Sequence, residues 1–64
     1  MKLNTVLIRS ILYERDITQS QLSIATGLGR STIAGICNGR ACRYETAEKI
    51  AEVLKMTVED LRKK

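Results

Sequence analysis

The stretch that most limits the fold is Gln19 to Gly39, QSQLSIATGLGRSTIAGICNG. Its apolar residues have helical spacing rather than strand alternation. Leu22 belongs to a first short helix, and Ile33 and Ile36, three apart, fall on one face of a second. Gly27-Leu28-Gly29 breaks the chain between them. Gly27 can take a positive φ at little cost, which is how a helix ends before a sharp turn. Arg30, Ser31 and Thr32 follow at once, so the second helix opens on polar and cationic side chains. One face of that helix is built to pack, and the other to meet something polar.

The rest of the chain reads as helices around this pair. With 64 residues there is room for one domain, residues 1–64. Hydrophobic residues make up 44% of the chain, enough for a core. The only aromatics are Tyr13 and Tyr44, so that core is aliphatic. No stretch alternates β-branched with polar residues, and there is no Pro, so the expected class is all-α, a compact five-helix bundle. Met1 to Leu3 reads as a short arm. Asn4 caps a helix running to about Glu14, with Ile8, Ile11 and Leu12 inside, Val6 and Leu7 widening the apolar face, and Arg9 outside. Ile17 turns inward beside the Arg15-Asp16 loop. Thr18 with Gln21 matches a capping box for the second helix. Leu22, Ser23 and Thr26 face the next helix, with the Thr26 hydroxyl bonded to a carbonyl one turn back. Gly29 stands at the N-cap of a third helix, Arg30 to Asn38, which Gly39 ends. Gly35 inside it marks either a weak point, about 1 kcal/mol worse than Ala, or a close approach to the backbone. Arg40 to Arg43 is an exposed basic loop. Tyr44 to about Lys55 is the fourth helix, with Ala47, Ile50, Ala51 and Leu54 at core spacing and Glu45 and Lys49 spaced to pair. Thr57 with Asp60 caps a short last helix that buries Val58 and Leu61 and ends on Arg62-Lys63-Lys64.

Charge is distributed unevenly. The net charge is +4 with a pI near 9.4. No acid occurs between Asp16 and Glu45, a span that holds Arg30, Arg40 and Arg43, while five of the seven acids lie from Glu45 onward. A one-sided basic surface attracts polyanions. Cys37 and Cys42 are the only cysteines and there is no His, too few ligands for a structural zinc site. No leader or long apolar run is visible, so a cytoplasmic protein with reduced thiols and no membrane partner is expected. No catalytic constellation is present: no His, no activated Cys, no phosphate loop. Neither an enzyme nor a cofactor is expected.

TQSQLSIATGLGRSTIAGICNGR followed by YETAEKIAEVLKMTVEDL resembles the small helix-turn-helix domain of phage repressors and Cro proteins, the xenobiotic-response-element type. Thr18-Gln19, Leu22, Ser23, Gly27, Ile33 and Asn38-Gly39 stand where the family has its signature residues, and the likeness spans nearly the whole chain. It implies a lambda-repressor-like fold with the helix-turn-helix at helices 2 and 3. Departures are Gly29 at a usual Ser or Thr cap, Cys42 at a usual Pro, and Lys55 at the Gly that usually ends the fourth helix. Leu12 and Cys37 occupy the sites of an Arg–Glu ion pair found in many relatives. Both charges are missing together, so Leu12 and Cys37 are expected to touch as an apolar pair, which can be as stable.

The resemblance also implies roles. The third helix would enter the major groove of double-stranded DNA, with Arg30, Ser31, Ala34 and Gly35 toward the bases. Gln19, Asn38, Arg40 and Arg43 would hold phosphates and register. The expected function is a sequence-specific transcriptional regulator, a repressor. An antitoxin that also binds a toxin, or a helix-turn-helix module that binds only protein, are the rivals. Relatives act as two-fold dimers on DNA. This chain is expected to do so too, but as a monomer or weak dimer when free, because Met56, Val58 and Leu61 are needed in the core.

Overall fold

A computed structural model describes residues 1–63; Lys64, the last residue of the basic run, lies outside the described residues. Five helices follow in order: α1 Thr5–Glu14, α2 Gln19–Thr26, α3 Arg30–Cys37, α4 Tyr44–Leu54 and α5 Val58–Leu61. Among the described residues there is no strand, only an isolated antiparallel bridge between Leu3 and Arg62. The all-α five-helix architecture, with the helix-turn-helix at α2 and α3, is therefore what the sequence led us to expect.

Helix starts have local causes. The Asn4 side chain accepts a hydrogen bond from the Leu7 amide at 3.1 Å. Thr18 and Gln21 form the full capping box, at 3.0 and 2.8 Å, and Thr57 and Asp60 form another at 3.2 and 3.1 Å. Each box satisfies two amides that the helix leaves without partners. α3 begins on Gly29 with no side-chain cap. It ends on Cys37 with Asn38 as its cap, one residue earlier than the sequence suggested. α4 ends on Lys55 in the left-handed conformation, φ 57° and ψ 46°. The chain thus keeps the helix end that relatives build with Gly, but with a side chain that crowds the next carbonyl.

The core is aliphatic and single. Ile8, Leu22, Ile33, Ile50, Leu54 and Leu61 are its innermost residues, and both tyrosines are exposed. Leu12 and Cys37 belong to the same buried cluster, so apolar groups fill the place of the relatives' ion pair. Burial pushes the Cys37 thiol up from its ordinary pKa, with Arg9 opposing the shift. The four expected α4 residues are all buried. α2 packs on both α3 and α4, which holds the helix-turn-helix against the longest helix.

Four points differ from or add to the expectations. Val6 does not widen the apolar face: it is 74% exposed. At 100° per residue it stands almost opposite the Ile8–Ile11–Leu12 stripe, and Leu7 alone flanks that stripe, half-buried. The short N-terminal arm is tied to the rest of the fold, which the sequence did not show. Leu3 is buried, and Asn4 N donates to Leu61 O at 2.7 Å, Lys63 N to Lys2 O at 3.0 Å and Cys42 N to Met1 O at 2.8 Å. The last of these bonds also ties down one residue of the basic loop: Arg40, Ala41 and Arg43 are exposed, but Cys42 is half-buried. Finally, the ion pair recorded among the described residues is not Glu45–Lys49 but Arg62–Glu59, at 3.6 Å on the surface.

Lys55 yields a stability test. Lys55→Gly removes a left-handed penalty of about 1–2 kcal/mol and adds unfolded-chain entropy of about 0.5–1 kcal/mol. The expected net gain is about 1 kcal/mol, read as a higher midpoint in thermal or urea unfolding. An unchanged or lower midpoint would show that the Lys55 backbone is not strained.

Candidate nucleic-acid interface

The geometry of the site starts at the turn between α2 and α3. Gly27 ends α2 at φ 75° and ψ 9°, and its amide bonds back to Ser23 O at 2.9 Å. The Ser23 hydroxyl, buried, donates across the turn to Leu28 O at 2.6 Å. The Thr26 hydroxyl donates to Leu22 O, one turn back, at 2.8 Å and accepts from the Leu28 amide at 3.3 Å. Two hydroxyls thus tie the three-residue connection to α2 and fix the direction in which α3 leaves it. The sequence placed Ser23 on the face toward the next helix. Its hydrogen bond across the turn was missed, although a buried hydroxyl must find a partner.

α3 buries Ile33, Ile36 and Cys37 and turns its other side outward. Arg30 and Ser31 are exposed in its first turn, and Ala34 and Gly35 are half-buried behind them. Thr32, read from the sequence as part of the polar start of this helix but given no role, is exposed as well and flanks the same surface. Arg30 stands at the positive end of the α3 dipole, where a cation is disfavoured by a few tenths of a kcal/mol. The first turns of α2 and α3 hold no acid, whereas α4 opens with Glu45 and α5 with Glu59 and Asp60. The helix ends of the helix-turn-helix are thus left uncompensated toward an anion, while those of α4 and α5 are neutralised from within.

Gly35 resolves in favour of close approach. A Cβ there would lie 3.2 Å from Arg40 Cδ. The Arg40 amide donates to Gly35 O at 2.8 Å, so the Arg40 stem lies along the end of α3. Asn38 caps α3 through its amide, 3.0 Å from Ala34 O. Arg9 reaches the same place from α1: Nε donates to Cys37 O at 2.9 Å and Nη2 to Asn38 Oδ1 at 2.7 Å. The structure therefore gathers Gly35, Asn38, Arg40 and Arg9 at one end of α3, with Arg30 and Ser31 at the other. Gln19 is exposed on the first turn of α2 and Arg43 at the start of α4; neither touches this group through a recorded hydrogen bond or ion pair. Arg9 carried no signal in the sequence, because no spacing rule links residues 28 and 29 positions apart.

A two-helix unit with an open second helix, two exposed cations beside that helix and a buried apolar back defines a helix-turn-helix domain. The chain matches the family model of the Cro/C1-type HTH DNA-binding domain over residues 8–63, and it belongs to that family. No curated protein and no solved structure matches it. The protein is accordingly a DNA-binding regulator of transcription. Among the described residues, no helix is long and apolar enough to cross a membrane.

The turn can be tested directly. Ser23→Ala strips Leu28 O of its donor in a half-buried setting and should cost about 1–2 kcal/mol in chemical unfolding. A change within error of zero would mean that water replaces the hydroxyl and that the bond does not set the turn.

Proposed function

We propose that residues 1–64 act as a single domain that binds specific DNA operators and represses transcription, reading the major groove with α3. The observation that carries this is the exposed cation Arg30 at the disfavoured end of α3, beside Ser31. A side chain placed against its own helix dipole is best explained by a partner outside the fold. Arg30 is the candidate for guanine, whose O6 and N7 suit a guanidinium. Ser31 can donate or accept at a neighbouring base. Ala34 is small enough to meet a thymine methyl, and Gly35, which lacks a side chain, lets the Arg40 stem lie close along α3 so that the helix can still sit deep in the groove. Gln19, Asn38, Arg40 and Arg43 hold phosphates and thereby the register of α3 in the groove. Occupying an operator is enough to block transcription and requires no further partner, which favours repression over activation.

Two substitutions separate the roles. Arg30→Ala should weaken binding to the preferred operator by about 1–3 kcal/mol and relax preference at one base pair, while leaving stability equal or slightly higher. Arg43→Ala should weaken all sequences alike and lower the salt slope by about one. Fluorescence anisotropy on randomised and selected duplexes, at several salt concentrations, reads both. Equal loss on every sequence after Arg30→Ala would remove it from base reading. Binding by the wild type without salt dependence or sequence preference would refute the function itself.

The same helix covers only a few base pairs, so two copies on a palindromic site are needed to find one place in a genome. Val58 and Leu61 are buried in the core and Met56 is half-buried, so these residues offer little surface for a second copy. The free chain should sediment as a monomer or micromolar dimer, and two chains should be found per operator. A tight free dimer, or saturation at one chain on an asymmetric site, would overturn this reading.

A further inference from the structure

Arg9 crosses from α1 to bond with two successive residues at the end of α3. Its Nε donates to the Cys37 carbonyl, which is part-buried, and its Nη2 donates to the Asn38 side chain, which is exposed. A guanidinium has donors only. The amide group facing it must therefore present its oxygen, and Asn38 Nδ2 with its two hydrogens is left on the other side. The Asn38 backbone is itself fixed, because its amide bonds to Ala34 O and Gly35 O. Arg40, whose stem lies on Gly35, is the next side chain along.

We propose that Arg9 is a positioning residue for DNA: it locks the Asn38 side-chain amide with its NH2 outward, as a ready donor to a phosphate. This rests on the DNA-binding role proposed for α3 and extends it to a residue on another helix. An unrestrained Asn amide rotates broadly about its last bond, and half of its orientations would turn an oxygen toward the phosphate. The bond to Arg9 removes those orientations before DNA arrives. The adjacent positive charge also polarises the amide, which strengthens its N–H groups as donors. The bond to Cys37 O holds the guanidinium in place, so that it cannot swing away with Asn38.

A purely structural Arg9 would only cap the negative end of α3. The two roles differ in whether Arg9 and Asn38 act through each other. Operator affinity should be measured for the full chain, for Asn38→Ala, for Arg9→Met, and for the pair together, at several salt concentrations. Unfolding curves of each variant should confirm that all are folded under the conditions used. Asn38→Ala is expected to weaken binding about fivefold when Arg9 is present, the worth of one ordinary hydrogen bond. In the Arg9→Met background the same change should cost less than twofold. Arg9→Lys, which keeps the charge but not the two-pronged geometry, should behave like Arg9→Met in this comparison and thereby separates geometry from charge. An equal loss from Asn38→Ala in all three backgrounds, or none in any, would overturn the proposal while leaving the DNA-binding reading intact. Failure of the unaltered chain to bind DNA selectively would overturn both.

Discussion

The hydrogen bond from the Ser23 hydroxyl to Leu28 O spans the turn on which everything functional depends. Helices of eight residues, such as α2 and α3, are too short to be stable alone. Their mutual angle must come from the connection and from the core beneath. Gly27 supplies the left-handed backbone, Ser23 and Thr26 occupy the polar groups that the turn exposes, and Leu22 and Ile33 anchor each side in the interior. The direction of α3, and so of Arg30 and Ser31, is inherited from that small set. A change of one hydroxyl in the turn therefore acts on residues that it never touches.

Much of this was legible in the sequence because it is local. Capping boxes at Thr18–Gln21 and Thr57–Asp60 are four-residue patterns with a single physical meaning. Gly27 announces a left-handed turn, and the α4 stripe of Ala47, Ile50, Ala51 and Leu54 follows helical period. What escaped was either a matter of choosing between faces or a contact between distant residues. Val6 is apolar but stands on the wrong side of α1, and periodicity alone weighed less than residue type. The tie between Leu3 and Arg62 joins residues that no local rule connects. The same is true of Arg9 with Asn38. Of the candidate site, the exposed run of α3 was readable from the pattern, whereas the packing of Arg40 on Gly35 appeared as two alternatives that only the fold could separate.

Stability and recognition draw on different parts of the chain. Apart from Ser23 the buried residues are apolar, with Leu12 and Cys37 where relatives bury charges, so among the described residues no desolvated ion pair has to be balanced inside. The charges are left to the surface and are sorted there. Acids gather on α4 and α5, where two of the helix starts use them, while α2 and α3 have bare positive ends. Arg30 at such an end costs a little folding free energy and adds to the positive potential there. A chain of this size can tolerate that because its core requires nothing from that surface.

The pairing of Asn4 N with Leu61 O and of Lys63 N with Lys2 O has a kinetic consequence. These are the longest-range backbone bonds among the described residues, and the entropy of closing so long a loop must be met before they return anything. The helix-turn-helix, by contrast, is assembled from contacts between near neighbours. The seam between the arm and α5 should thus be among the last parts to zip shut in folding and among the first to part in native-state fluctuations. Amides on its two sides, though far apart in sequence, would then exchange with solvent as one cooperative unit, while the turn at Gly27 stays protected.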